Sequence, residues 1–318
     1  MATSIFLTID TELAWRHHAE GLEPDEIVKR SLDPAGVGIA WQLKRLAAHD
    51  LKAVFFVDPM PALVYGLEPF KRIVGAILDA GQRVQLHLHP NWTDAVADDG
   101  GEGHAPFALN QYGFADQRDL IANARDLLTA AGAPPPVAFR AGSYAANCET
   151  LDALADLGFH YDSSHNGSEH PETSGIDLPP HQIAPIEHRG VIELPVTLIE
   201  EWPGRLRHFQ ICALSAGEMS AALDHADTNN HAAVTIVSHS FELANRDGTQ
   251  ANGIHVARFE ALCAMLQDRA DRMPTRWFTD FPDMPLGRND VPLAPSLIRT
   301  GIRQVQQLWS NLIEERAA

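Results

Sequence analysis

Short apolar runs alternate along this chain with longer stretches in which apolar residues return every three or four positions. The runs at 5–9, 53–57 and 232–237 are almost wholly apolar, as expected of strands covered on both faces inside a parallel sheet. Further strand-like runs begin at 83, 137, 159 and 191, and a weak one at 276. Between them, residues 35–49, 67–80, 116–131, 149–157, 214–226 and 256–271 predict helices, and Gly81, Gly132 and Gly158 stand where helices end. Residues 298–315 predict a terminal helix with Ile302, Val305, Leu308, Trp309 and Leu312 on its apolar side. The polar stretches 93–114 and 165–188 read as a loop rimming a site and as a long insertion or lid.

This alternation predicts an α/β fold, a single-domain distorted (β/α) barrel of seven or eight strands over residues 1–290. Residues 291–318 are expected to form a C-terminal helix packed on the barrel or on a partner subunit, so a homodimer is one expected assembly. A doubly wound open sheet is the alternative fold.

Composition narrows the function classes. With 24 basic and 42 acidic residues the formal net charge is −18, which argues against nucleic acid as a ligand, because that binding is largely phosphate neutralisation. No apolar run is long enough to span a bilayer and no basic segment precedes the first one, so stable membrane insertion is not expected and a cytoplasmic location is. Cys148, Cys212 and Cys263 are too few and too far apart for a disulfide framework or a cysteine-rich zinc module. The chain carries neither a phosphate-binding Gly-Lys-Ser/Thr loop nor a Gly-x-Ser-x-Gly nucleophile elbow.

What it carries instead is a set of polar residues at strand ends: Asp10 and Glu12, His87 and His89, Arg140 with Tyr144, Asp162, and His239. In a parallel barrel those ends share one rim, so residues far apart in sequence meet. His87 and His89 are two apart in an extended run and point to the same side, which makes them half of a metal site. Each residue also has a plain alternative: the acids as helix caps, Arg140 as a structural ion-pair residue, His239 as a core histidine. The alternatives weaken together, since five strand ends would have to be polar for unrelated reasons.

Thr8-Ile9-Asp10-Thr11-Glu12, His87-Leu88-His89-Pro90, Phe139-Arg140-Ala141-Gly142-Ser143-Tyr144, Tyr161-Asp162-Ser163-Ser164 and Ile236-Val237-Ser238-His239 stand in the order of the motifs of the polysaccharide deacetylase family, carbohydrate esterase family 4. The chain resembles a divergent, cytoplasmic branch of it over residues 4–280. The resemblance implies a hydrolase in which metal-bound water attacks an acyl carbonyl, usually the N-acetyl group of an amino sugar or a glycan precursor. It implies Asp10 as general base, Arg140 as the base's partner, His239 as general acid and Tyr144 in the segment whose backbone holds the oxyanion. Glu12 and His87 match metal ligands for one divalent ion, zinc first, with cobalt, nickel or manganese as alternatives.

The chain departs from the family at the second histidine. The family commonly spaces its two histidine ligands four apart, and four after His87 stands Asn91; His89 is the expected third ligand here, and a metal held by Glu12 and His87 with a weaker third group such as Asn91 is the alternative. Trp92 and Tyr161 are candidates for a stacking wall, with core packing as the alternative for Tyr161. Hydrolysis of another C–N bond, in a formamide, cyclic imide or ureide, and a non-catalytic carbohydrate-binding protein with a degraded site are the competing functions.

Overall fold

The computed structural model describes residues 2–96 and 105–315; the middle of the loop expected over 93–114 lies outside them. Eight strands form one curled sheet in the order β10-β1-β2-β3-β4-β5-β7-β6. They are β1 (Ser4–Thr11), β2 (Val54–Val57), β3 (Arg83–Leu88), β4 (Ala138–Ala141), β5 (Tyr161–Asp162), β6 (Ile186–His188), β7 (Val191–Glu193) and β10 (Ala233–His239), with β8 (Leu198–Trp202) and β9 (Arg205–His208) making a separate hairpin. All pairings in the sheet are parallel except β6 with β7. Backbone bonds from residues 197 and 209–211 to β10 narrow the open side, and the result is a distorted barrel in one domain.

Helices α1 (Trp15–Ala19), α2 (Pro24–Leu32), α3 (Ile39–Ala48), α4 (Ala62–Tyr65), α5 (Glu68–Asp79), α6 (Phe114–Ala130), α7 (Cys148–Asp156), α8 (Ala216–Thr228), α9 (Gly253–Asp268) and α10 (Leu297–Trp309) complete the chain. Seven start within four residues of their expected places; α1, α2 and α4 are short or polar and leave little periodicity to read. Among the described residues no helix is long and apolar enough to cross a membrane.

The two faces of β1 show how the sheet is used. Ile5, Leu7 and Ile9 join the large core shared with the helices, while Phe6 on the other face packs with Phe56, Tyr161 and Phe278 in a second apolar cluster. Further along that inner face come Thr8 and Asp10, because successive odd and even side chains part company in a strand. Apolar residues therefore plug one end of the barrel, and the polar ones gather toward the carboxyl ends of the strands.

Three sequence expectations are corrected. The run at 276 is not a strand: 274–276 bonds to the start of β1 below the level where β2 begins, and a 3₁₀ turn then drives Phe278 into the plug. The eighth strand is instead β6, joined to β7 by Arg189-Gly190, both at positive φ, as a two-residue hairpin requires. The β8–β9 hairpin has no counterpart in the pattern, since Leu198-Ile199-Glu200-Glu201-Trp202 shows no period of two and charged residues crowd both strands.

Helix α10 is held by its polar side. Arg303 donates to Glu218 at 3.1 Å and to Glu201, and Thr300 Oγ1 to the Glu201 carbonyl. Its apolar side faces outward: Ile298 is 77% exposed and Val305 69%, with Leu297, Ile302, Leu308, Trp309 and Leu312 exposed beside them.

Candidate metal centre and acid–base site

Arg140 is the fixed point of the site. On β4 its side chain is fully buried; its guanidinium donates to Thr8 Oγ1 at 2.8 Å, Asp10 Oδ1 at 2.7 Å, and the carbonyl and hydroxyl of Ser163. The ring of Phe56 covers its flat face at 4.5 Å. A buried guanidinium needs an anion, and Asp10 is that anion. Deeper in the barrel, burial raises the carboxyls of Asp162 and Glu193, which face each other across β5 and β7; the charge of Asp162 raises Glu193 further, while a hydrogen bond from Glu193 holds Asp162 down in part.

The second oxygen of Asp10 faces His239. The two residues are direct neighbours in the β1–β10 register, and His239 Nε2 lies 3.8 Å from Asp10 Oδ2. Behind the imidazole, Glu242 accepts from the His239 backbone N–H at 3.1 Å, from Gln210 Nε2 at 2.8 Å and from the Cys212 N–H at 2.9 Å. Burial disfavours the imidazolium, but Glu242, with Asp10 and Glu12 in support, outweighs it and lifts the His239 pKa to about 9. Burial likewise works to raise Glu242, and His239 brings it down to about 2.

On the other flank of Asp10, Glu12 meets both histidines. Its Oε2 is 3.2 Å from His87 Nε2 and 2.5 Å from His89 Nε2, and one donor atom from each residue lies within 4.8 Å of the others. His87 Nδ1 is 2.8 Å from the Arg140 carbonyl, which only accepts, so that nitrogen carries a proton and Nε2 is the atom aimed at the carboxylate. Facing lone pairs repel unless a proton or a metal ion sits among them, and an imidazole tethered through its far nitrogen is the usual support of a metal ligand. Two imidazoles and one carboxylate fit zinc and its neighbours with a position left open. Burial opposes the charge of Glu12, yet the imidazoles hold its carboxyl well below the usual range.

His89 is seated by Gly142. A Cβ at that position would stand 2.4 Å from two atoms of the His89 ring, so only glycine lets β4 approach it. Asn91 is buried, and neither polar atom of its side chain has a hydrogen-bond partner.

Of the expected site residues, Asp10, Arg140 and His239 stand together, and Glu12, His87 and His89 beside them. Tyr144 is close by but points its buried ring at His208, 6.0 Å away, and Tyr144 and Ser143 are both at positive φ. Trp92 and Tyr161 are core residues rather than a stacking wall: Trp92 packs among Trp15, His18 and Tyr65, and Tyr161 among Phe278 and Phe281. The sequence reading passed over Asp58 and Glu242. Asp58 follows the apolar strand β2, so the strand-end rule covers it; burial pushes its carboxyl up to about 7 despite nearby His89. Glu242 stands three after His239 in a turn, where spacing gave no sign of it.

No protein-family model matches the chain, and no curated protein matches it in sequence. Solved structures match its fold. A protein assigned as a polysaccharide deacetylase in Mycobacterium smegmatis superposes with a TM-score of 0.55 at 17% identity, over 91% of this chain and 95% of that one. The 4-alpha-glucanotransferase of Thermococcus litoralis gives 0.53 at 9% identity, over 88% of this chain and 40% of that longer one. A family 4 carbohydrate esterase from Streptomyces lividans gives 0.45 at 13% identity, over 92% and 98%. At these identities the likeness is one of fold.

Proposed function

We propose that this chain is a divalent-metal-dependent N-deacylase of the polysaccharide deacetylase family, removing an N-acetyl or related N-acyl group from an amino sugar or a sugar-containing precursor. The observation that supports it best is the adjacency of two chemistries: a Glu12–His87–His89 donor set, and Asp10 held between Arg140 and His239. Glu12, His87 and His89 would hold the ion, zinc first. Bound there, such an ion makes a water nucleophilic near neutral pH and polarises the acyl oxygen. Asp10, held in place by Arg140, takes a proton from the attacking water. His239, charged at neutral pH, gives one to the departing amine. The turn of Ser143 and Tyr144 would offer a backbone N–H to the oxyanion. A net charge of −18 and three unpaired cysteines suit a cytoplasmic precursor better than an external polymer.

Protein purified without chelators is expected to contain close to one equivalent of zinc, cobalt, nickel or manganese and to release amine from N-acetylated or N-formylated amino sugars. Chelation should abolish the release and the ion restore it. Protein that neither retains nor rebinds any of these ions, with Glu12 and His87 intact, overturns the proposal.

Gly142 gives a second check. Gly142→Ala must push the His89 ring aside, so metal affinity is expected to fall on the order of 10–100-fold in a competitive chelator titration. Wild-type affinity would remove His89 from the ligand set.

A further inference from the structure

We infer that the cavity beside His239 receives a phosphate-type oxyanion of the substrate, bound by Arg16 and Arg246; this rests on the deacylase reading above. The cavity measures about 340 Å³, and its walls include Arg16, Gln210, His239, Phe241, Arg246 and Glu315. His239 belongs to it and to the acid–base pair, so an occupant lies next to the leaving nitrogen.

The charges in this cavity are unbalanced. Among the described residues neither Arg16 nor Arg246 has a carboxylate at ion-pair distance, and Arg16 Nε is buried with no hydrogen-bond partner. Burial disfavours the charge of Arg16 and the nearby Arg246 disfavours it further, while Glu20, Glu12 and Asp247 offset part of this from beyond ion-pair distance. The carboxylates in the wall are otherwise engaged: Glu242 as described, and Glu315 by the Arg246 backbone N–H at 2.7 Å and Asn252 Nδ2 at 3.2 Å. Leaving a desolvated guanidinium unpaired is costly, the more so when a second one faces it. An oxyanion between the two relieves both costs at once.

The plane of Arg16 is also set in advance. Its guanidinium stacks over Phe241 at 5.1 Å, and that ring lies 5.4 Å from the His239 ring. Planar forks arriving from α1 and from the loop after β10 match the several oxygens of a phosphate group. The phosphate has two sources with one chemistry, a water-soluble sugar phosphate or a lipid-linked one. Glu315 follows the last turn of the C-terminal helix, so the exposed apolar stripe of that helix runs toward the cavity and offers a lipid chain a surface.

The test is calorimetric titration of the full-length protein, at constant metal content, with N-acetylglucosamine and with its 1-phosphate. The phosphate is expected to bind at least tenfold more tightly, and Arg16→Gln and Arg246→Gln to lose that advantage while melting as wild type does. Arg246 is exposed, so its variant keeps the test valid if Arg16→Gln folds poorly. Equal affinity for the two sugars, or an advantage that survives both substitutions, overturns the inference. A second arm offers a polyprenyl phosphate in neutral phosphatidylcholine vesicles: co-sedimentation that needs both arginines assigns the lipid-linked source, and binding of the free sugar phosphate alone assigns the soluble one. Binding is read without turnover, so phosphate recognition with no amine release counts against the deacylase reading only.

Discussion

Asp10→Asn is expected to lower kcat by roughly 10²–10⁴, the usual contribution of a positioned general base, while metal content stays unchanged. Asparagine keeps an oxygen for the 2.7 Å bond from Arg140 and loses the charge and the proton affinity. A second consequence separates this role from a merely structural one. Asp10 is among the groups that lift His239 to about 9, so its neutralisation lowers that pKa. The acid form of His239 exists below its pKa and is lost as pH rises through it. Wild-type activity is therefore expected to fall above about pH 9, and the residual activity of the variant to fall at lower pH. Measured pH–rate profiles with the same alkaline limb in both proteins would remove His239 from the role of acid, and full activity in the variant would remove Asp10 from that of base.

Much of this site was legible in the sequence because strand ends announce themselves. A mostly apolar or strand-like run that stops at an acid or a histidine locates Asp10, Glu12, His87 and His239 without any knowledge of what surrounds them. The period of two in a strand then puts His87 and His89 on one side, and Glu12 is where they meet. What stayed hidden depends on contacts across the fold. Glu242 reaches His239 through a turn, Gly142 matters because β4 passes close to His89, and Arg16 is distinguished only by its lack of a partner. Trp92 shows the opposite error: an aromatic residue beside a metal motif looks like a platform, yet it is 1% exposed and belongs to the core. The β8–β9 hairpin escaped because charged residues crowd it, Glu201 accepting from Arg207 across its strands, and only Leu198 and Ile199 at its start are buried apolar residues.

The largest effect on stability is expected at Arg140, where the same bond that tunes the base also holds the barrel. Arg140→Met keeps most of the side chain's length and its packing on Phe56, and removes the charge. Asp10, 2% exposed, then keeps only His239, 3.8 Å away, as a counter-charge, and Thr8 Oγ1 and both Ser163 oxygens lose a donor. Breaking a buried pair from one side costs about 3–5 kcal/mol, far more than an exposed pair is worth. Chemical denaturation should report that loss at pH 7. In the double variant Asp10→Asn/Arg140→Met both charges are gone, so most of the lost stability should return while activity does not. A double variant no more stable than Arg140→Met alone would mean that the guanidinium serves the fold through Thr8 and Ser163, and that its bond to Asp10 is there for the chemistry.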